Sequence, residues 1–309
     1  MKKIKLLVIG YSKFVEKRLV NSLKKIKKID YRICSKSKIK DNIHYDNYLE
    51  GLKFNPDLIY ISLTNHLHFK FAKLFLQKGY NVIVDKPITE SLIKTRELIK
   101  IAKSKRVLLS EATLFNYHAV FQQILKMIGG RKKIEFLQSY FNIPKVKSLK
   151  EINLTKSDCF MDMSPYAAAL IRLYLNDKNL SINFDFKKFP NNKNIKSFYV
   201  LVNNKKIRYF GNFSFDNEYL SQIVFFSKKK IIYLPNQAFA LPSSKKIKIT
   251  IKENNKFKFF TVKKDDCIYN YLSEVLMALK NKKYDNFYKI IIQDAQIRNN
   301  LFRNIKKHS

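Results

Sequence analysis

The sequence predicts an α/β protein, with a parallel sheet in its N-terminal part and a large, mostly antiparallel sheet in its C-terminal part. Up to about residue 117, short apolar runs alternate with segments of helical periodicity, as expected for parallel strands covered by helices on both faces. From about residue 134, longer strand-like segments follow one another, separated by turns rich in Asn, Lys and Asp. We therefore expect two domains, 1–118 and 119–309, which suits a chain of 309 residues.

The same alternation places the individual elements in order along the chain. Short apolar runs predict N-terminal strands near residues 3–9, 31–34, 58–62, 81–84 and 107–110. Apolar residues at helical spacing predict helices near 14–26, 67–78, 91–104, 158–175 and 268–281. C-terminal strands are expected at Lys133–Phe141, Ser181–Phe186, Ser197–Leu201, Ile207–Phe215 and Lys245–Ile251. The pair Gly129-Gly130 predicts a turn near the hinge between the two parts.

The formal net charge of +37 raises the question of a nucleic-acid partner. The lysines are scattered over helices and strand edges rather than gathered in one dense arm, and Gly and Trp are scarce, with 6 and 0 copies. That composition is typical of an AT-rich genome, so we expect no nucleic-acid partner. A basic nucleic-acid binder stays open as an alternative, and steeply salt-sensitive DNA binding would support it.

The cysteines and the N-terminus bear on the cellular location. Cys34, Cys159 and Cys267 are odd in number and far apart, which predicts neither a disulfide framework nor a thiolate metal site and favours a reducing, cytoplasmic setting. The run Leu6–Ile9 after the basic start is too short for a signal peptide and predicts a first strand. We expect no membrane partner, because no segment approaches the ~18 apolar residues of a spanning helix.

The turn after the first predicted strand is a candidate nucleotide site. The segment Gly10–Val15 stands where dinucleotide-binding folds keep a glycine-rich turn, and it retains the first glycine. Gly10 allows a tight turn, and Ser12 is small enough for a pyrophosphate to approach the start of a helix, so both are candidate cofactor contacts with their neighbours Lys13 and Phe14. A strand-to-helix turn that binds nothing is the alternative.

The end of the second predicted strand favours NADP over NAD. An NAD-selective site would place Asp or Glu there to bind the ribose 2′-hydroxyl, whereas this chain has Ser35 and Lys36. A hydroxyl and a cation suit a 2′-phosphate. We therefore expect NADP, with NAD possible.

Polar residues follow the third and fourth predicted strands, where open parallel sheets place their ligands. Asp85, Lys86 and Pro87 end the fourth strand, and a lysine fixed by a following proline is a candidate to contact substrate. The candidate cofactor contacts after the third strand are Ser62, Thr64, Asn65 and His68.

A second candidate cluster lies in the segment 158–166. If this segment is helical throughout, Asp162 and Tyr166 are four residues apart and share one face. An acid, a phenol and a lysine are groups that suit reversible carbonyl reduction, in which one group polarises the oxygen and another transfers a proton. Alternatively, the helix begins with Ser164 as N-cap and Pro165 in its first position, which would turn Asp162 away.

These motifs resemble the Gfo/Idh/MocA oxidoreductases, whose strand–turn–strand unit ends in Glu-Lys-Pro where this chain has Asp85-Lys86-Pro87. The run Gly10–Arg18 is similar to the start of nucleotide-sugar 3-ketoreductases in that family, and 162–172 resembles its Asp-x-x-x-Tyr form. The resemblance implies a Rossmann-like dinucleotide-binding domain in 1–118 and a substrate-binding and oligomerisation domain in 119–309. It implies catalytic roles for Lys86, Asp162 and Tyr166 and a cofactor contact for Asp85.

The segment Ser110–His118 resembles the family's interdomain segment. The resemblance places Glu111 near the nicotinamide and Asn116, Tyr117 and His118 near the substrate. His66, His68 and His118 have no acidic partner at ligand spacing, so we expect no metal.

The favoured function is NAD(P)-dependent hydride transfer between the nicotinamide and a carbonyl or hydroxyl of a sugar or nucleotide-sugar. The alternative is a catalytically silent scaffold or regulator that keeps the fold. Long apolar strands such as Tyr199–Val202 and Gln222–Phe226 predict a sheet with one face uncovered, and therefore a homodimer or homotetramer.

Overall fold

The computed structural model describes residues 3–35, 44–45, 47–144, 158–175, 180–190, 193–235 and 237–305. The chain forms two compact units, one of Met1–Ala112 with Ile268–Ala295 and one of Thr113–Cys267 with Gln296–Ser309. The division therefore comes slightly before the expected boundary at 118, and a C-terminal segment expected in the second domain joins the first. Hydrogen bonds explain this difference: the Tyr271 and Ser110 hydroxyls lie 2.6 Å apart, and Tyr288 donates to the Val107 carbonyl.

The first unit contains a six-stranded parallel sheet. Its strands are Ile4–Ile9 (β1), Ile29–Cys34 (β2), His44–Tyr45 (β3), Leu58–Ile61 (β4), Asn81–Asp85 (β5) and Leu109–Ala112 (β6), in the order β3-β2-β1-β4-β5-β6. The order reverses between β1 and β4, and in open parallel sheets ligands bind at the carboxyl ends of the strands at such a point. Leu6–Ile9 of β1 and all of β4 are fully buried, which explains the continuous apolar sequence of these segments.

The helices are α1 to α7 in chain order. Their bounds are Val20–Leu23, Asn65–Gln77, Leu92–Lys105, Val120–Ile128, Cys159–Leu170, Cys267–Asn281 and Asp285–Ile305. A π-helical turn over Val15–Leu19 leads into α1. Ser91 caps α3 by accepting the Lys94 N–H. Gly129, with φ of +88°, ends α4 rather than marking the division between the units. In the described part of the chain, none of the helices combines the length and apolar character needed to cross a membrane.

The second unit contains an eight-stranded sheet. Its strands are Phe136–Asn142 (β7), Ser181–Lys188 (β8), Ile195–Asn203 (β9), Arg208–Ser214 (β10), Leu220–Phe226 (β11), Lys230–Leu234 (β12), Ile247–Glu253 (β13) and Lys256–Val262 (β14), in the order β14-β13-β12-β11-β7-β10-β9-β8. β7 and β10 pair in parallel and the other neighbours are antiparallel. Rings of α5 pack against one face of the sheet, with Phe160 5.5 Å from Phe198. The predicted fold class is thus confirmed.

Candidate active site

Gly10 forms a tight turn at the carboxyl end of β1. Its φ is +98°, which disfavours any residue with a side chain, and a Cβ at this position would collide with the carbonyl oxygen of Ser62. The Gly10 N–H donates to the Cys34 carbonyl at 2.8 Å, so the turn is fixed between β2 and β4. Close approach of backbone at this point is what a pyrophosphate-binding turn needs, and the local geometry therefore fits a dinucleotide.

Ser12 links this turn to the end of β4. Its hydroxyl accepts the Val15 N–H at 3.3 Å and lies 3.0 Å from the Ser62 hydroxyl. Lys13 is exposed and Phe14 is half-buried at the start of the helical segment. Gly10, Ser12 and Ser62, three of the expected cofactor residues, are therefore brought together at the edge where β1 and β4 end.

The Asp85 carboxylate is held by two hydroxyl donors. Tyr60 donates to one oxygen at 2.6 Å, and Ser62 donates to the other at 2.5 Å. Burial raises the pKa of Asp85, against the lowering effect of these two bonds and of the charges of His68 and Lys86. With both oxygens engaged by the protein, Asp85 is suited to fix the end of β5.

The backbone after Asp85 is held from two sides. The Lys86-Pro87 peptide is cis. His68, fully buried, places Nδ1 2.7 Å from the Pro87 carbonyl oxygen and Nε2 2.9 Å from that of Leu63. Glu111, 7% exposed, accepts the Ile88 N–H at 2.7 Å.

Both ring nitrogens of His68 thus lie within hydrogen-bond distance of backbone carbonyls. The Glu111 carboxylate likewise contacts the backbone next to Pro87. A contact of His68 with the cofactor stays a prediction.

The remaining cofactor candidates of the first unit lie at strand and helix ends. Ser35 follows β2 and is 4% exposed, while Lys36 lies outside the described residues. Thr64 is the exposed residue before α2, and Asn65 is the first residue of that helix. The preference for NADP stays a prediction.

In the second unit, α5 runs through Pro165 without a break, so Asp162 and Tyr166 lie one turn apart, as in the first of the two alternatives. The helix begins earlier than Ser164 because Asp158 caps it. The Asp158 carboxylate accepts the Met161 N–H at 2.8 Å and the Ile195 N–H at 3.1 Å, which also ties the helix to β9.

Three aromatic rings surround the ring of Tyr166. The centroids of Phe239, Phe141 and Phe115 lie 4.9, 5.3 and 5.8 Å from that of Tyr166. Sequence reasoning missed Phe239, which follows β12 in a loop that gives no periodic signal. Its N–H reaches the Ser221 hydroxyl at 3.4 Å, so β11 anchors that loop.

His118 is buried beside an acidic residue of the same unit. Its Nδ1 accepts the Val120 N–H at 3.1 Å and lies 3.9 Å from a carboxylate oxygen of Asp265. Burial lowers the pKa of His118, against the raising effect of Asp265 and Asp266. The neutral ring therefore carries its proton on Nε2, which has no hydrogen-bond partner among the described residues.

Asn116 shares this feature. Its side-chain oxygen is buried and has no partner among the described residues, while Tyr117 between them is half-buried. A buried donor on His118 and a buried acceptor on Asn116 are groups that a hydroxylated ligand would satisfy. As for metals, no group of three His, Cys, Asp or Glu side chains within the described ranges is arranged to bind an ion.

Part of the chain is similar in sequence to known oxidoreductases. Residues 4–113 match the model of an oxidoreductase family with an NAD-binding Rossmann fold, GFO_IDH_MocA. The uncharacterized oxidoreductase YdgJ of Escherichia coli is 48% identical over 117 residues, which are 36% of this chain and 34% of YdgJ. The dTDP-3,4-didehydro-2,6-dideoxy-alpha-D-glucose 3-reductase of Streptomyces violaceoruber is 28% identical over 102 residues, 32% of this chain and 29% of that enzyme.

Among solved structures, KijD10 is similar over nearly the whole chain. This 3-ketoreductase from Actinomadura kijaniata, in complex with NADP and TDP-benzene, has a TM-score of 0.89 at 16% identity and covers 98% of each chain. Such a likeness shows the fold. The curated matches named above each span about a third of the relative. The resemblance to the Gfo/Idh/MocA oxidoreductases is thus confirmed, with residues 4–113 matching the NAD-binding Rossmann fold of that family.

Proposed function

We propose that the protein is an NAD(P)-dependent oxidoreductase that transfers hydride between the nicotinamide and a carbonyl or hydroxyl group of a nucleotide-linked sugar. The observation that carries this proposal is the position of Lys86 at the carboxyl edge of the parallel sheet, in the same unit as the turn at Gly10. His68 and Glu111 contact the backbone just after Lys86, at Pro87 and Ile88. The names of the 3-reductase and 3-ketoreductase relatives support a 3-keto sugar as the substrate class.

The cofactor, when bound, supplies or accepts the hydride at its nicotinamide. Gly10 and Ser12 are proposed to take the pyrophosphate, because the turn offers close backbone approach at the start of a helix. Ser35 and Lys36 are proposed to take the 2′-phosphate of NADP. KijD10 was solved with NADP, which supports the same preference.

Lys86 is proposed to polarise the carbonyl oxygen of the sugar. Its ammonium would stabilise the negative charge that develops on that oxygen as the carbon accepts hydride, and Asp85 would fix the strand end that presents it. A lysine at a rigid strand end is already oriented, so little reorganisation is needed during the reaction.

Tyr166 is proposed as the proton donor to that oxygen in reduction and as the acceptor in oxidation. The three surrounding rings hold the phenol in one orientation, which favours proton transfer along a fixed line. Asp162, one turn earlier on α5, is proposed to orient and tune the phenol. Asn116 and His118 are proposed to bind hydroxyl groups of the sugar.

Fluorescence titration with NADPH and NADH, followed by assay with a panel of nucleotide-linked 3-keto sugars, tests this function. We expect tighter binding of NADPH and a loss of that preference in Lys36→Ala, of about 1 kcal/mol for a partly exposed contact. Exposed Lys53→Ala in the same unit is the control. Absence of dinucleotide binding in the wild type would refute the proposal and support the scaffold alternative.

A further inference from the structure

The ring of His68 faces two acceptors. Nδ1 lies 2.7 Å from the Pro87 carbonyl oxygen and Nε2 lies 2.9 Å from the Leu63 carbonyl oxygen. A carbonyl oxygen accepts hydrogen bonds and cannot donate one, whereas a neutral imidazole has a single N–H. A neutral His68 would therefore bring a nitrogen lone pair against an oxygen lone pair at one of these contacts.

The surroundings of His68 supply the opposite charge that a buried cation needs. Burial raises the pKa of Asp85, the charge of His68 acts to lower it, and Tyr60 and Ser62 donate hydrogen bonds to the Asp85 carboxylate. A buried charge that has both a counter-charge and hydrogen bonds is tolerated, whereas a lone one is not. The environment thus suits a His68 that carries both protons.

We infer that His68 is a positioning residue with an N–H on both ring nitrogens, which fixes Lys86 by binding the Pro87 carbonyl while it binds the Leu63 carbonyl with its other N–H. The part of this inference that concerns Lys86 rests on the proposed function. The two carbonyls belong to the loops after β4 and β5, so the imidazolium fastens the ends of neighbouring strands together. Glu111 holds the next peptide at Ile88, which leaves the backbone around Lys86 little freedom.

At the ends of the neighbouring strands the titratable groups are Asp85, Lys86, Tyr60 and Glu111. Beyond Pro87, Glu90 pairs with Lys94, whose ammonium also lies 5.1 Å from the ring of Phe69 on α2. On α2 itself, Lys73 is paired at 2.7 Å with Glu97 of α3, and His66 and Lys70 are exposed. The counter-charge to His68 is therefore Asp85, and loss of a proton from His68 would leave one of the two carbonyls without its donor.

The protonation state is measured directly by NMR of the histidine nitrogens in the full-length protein at pH 7.5. The chain has 5 histidines, and the signals lost in His68→Gln assign those of His68. We expect both nitrogens of His68 to bear slowly exchanging protons. A neutral ring with a single N–H at this pH would overturn the inference, whether or not the protein turns over a sugar.

The positioning role is measured by kinetics with NADPH and an accepted nucleotide-linked keto sugar. In His68→Gln the amide can donate to one carbonyl, but its oxygen would face the other, so we expect kcat to fall about 100-fold with NADPH affinity unchanged. His66→Gln, on the exposed side of the same helix, is the matched control. An unchanged kcat in a folded His68→Gln would overturn the positioning role. Lack of wild-type turnover with every sugar would refute the proposed function, and the NMR result would still decide the state of His68.

Discussion

Tyr60 donates a hydrogen bond of 2.6 Å to the carboxylate of Asp85, across the neighbouring strands β4 and β5. The tyrosine is fully buried, so its hydroxyl has exchanged water for this carboxylate. The same carboxylate binds Ser62, whose hydroxyl lies 3.0 Å from that of Ser12. A chain of polar contacts therefore joins the nucleotide-type turn to the strand end that carries Lys86.

Tyr60→Phe tests this link. Burial raises the pKa of Asp85 above its unfolded value of 3.8, so the contribution of Asp85 to stability is largest below pH 3.8 and declines as the pH rises through its folded-state pKa. Removing the Tyr60 donor raises that pKa further. We expect a loss of about 1.5–3 kcal/mol at pH 7.5 and a smaller loss at low pH, measured by urea unfolding.

Exposed Tyr219→Phe is the control and should match the wild type at both pH values. A loss for Tyr60→Phe that is the same at low and neutral pH would show that packing, not the carboxylate, explains the effect.

The variants Gly10→Ala and Gly79→Ala distinguish the cost of backbone strain from the cost of a steric clash with neighbouring backbone. Both glycines have positive φ, of +98° and +83°, but a Cβ at Gly10 would collide with Ser62 while nothing lies within 4 Å of one at Gly79. We expect Gly79→Ala to lose about 1–2 kcal/mol from strain alone. Gly10→Ala should lose more and bind NADPH poorly. Equal thermal stability of the two variants would contradict the close approach seen at the turn.

The acid sensitivity of the second unit is expected to depend on His118. Burial lowers its pKa below the unfolded value of 6.5, so its contribution to stability is fully present above pH 6.5 and is lost as the pH falls toward its folded-state pKa. His118→Asn keeps an acceptor near the Val120 N–H but does not titrate. Its unfolding free energy should therefore change less between pH 7.5 and pH 5 than that of the wild type.

Exposed His66→Asn should retain the wild-type pH dependence. A His118→Asn variant with the full wild-type loss at pH 5 would place the titrating group elsewhere.

The sheet face opposite α5 is expected to bind a second copy of the chain. It carries a row of aromatic rings, in which Phe210 lies 6.1 Å from Tyr140 and 6.3 Å from Tyr199, and Tyr199 is 42% exposed. Contiguous apolar surface of this kind marks an interface. Light scattering at micromolar concentration should give a multiple of 36.7 kDa for the wild type. Phe210→Glu should shift the measured mass toward that of the monomer, whereas the control Tyr219→Glu should leave it unchanged. A monomeric wild type would refute this prediction.

The sequence was most informative where burial is complete. Leu6–Ile9 of β1 and Leu58–Ile61 of β4 are continuous apolar runs, as expected for strands covered on both faces of a parallel sheet. The sequence therefore located the ends of these strands, and the end of β5 before Lys86, correctly. β14 was not predicted, although lysine and phenylalanine alternate over 256–259, which is a strand pattern. The strand lies at the edge of the sheet and is exposed over most of its length, so burial of one face does not follow from that alternation.

Contacts between distant segments were beyond sequence reasoning. The hydrogen bond of Ser110 with Tyr271 joins residues 161 positions apart and brings part of the C-terminal segment into the first unit. His68 was recognised as a polar residue near a strand end, but its partners are backbone carbonyls, which every residue has. Phe239 lies against Tyr166 because Ser221 anchors its loop, and no local pattern records that contact.

The most direct test of the proposed chemistry is the rate of NADPH oxidation in a single turnover with an accepted nucleotide-linked 3-keto sugar. Tyr166→Phe removes one hydroxyl and leaves the ring among Phe115, Phe141 and Phe239, so the variant should keep the wild-type melting temperature and NADPH affinity. We expect the rate of Tyr166→Phe to fall by ~10²–10⁴, as for the loss of a general acid. The rate of Lys86→Ala should fall by a comparable factor. The control Tyr219→Phe should keep the wild-type rate. Full turnover by Tyr166→Phe would contradict the account and place proton transfer on another group, with His118 the next candidate.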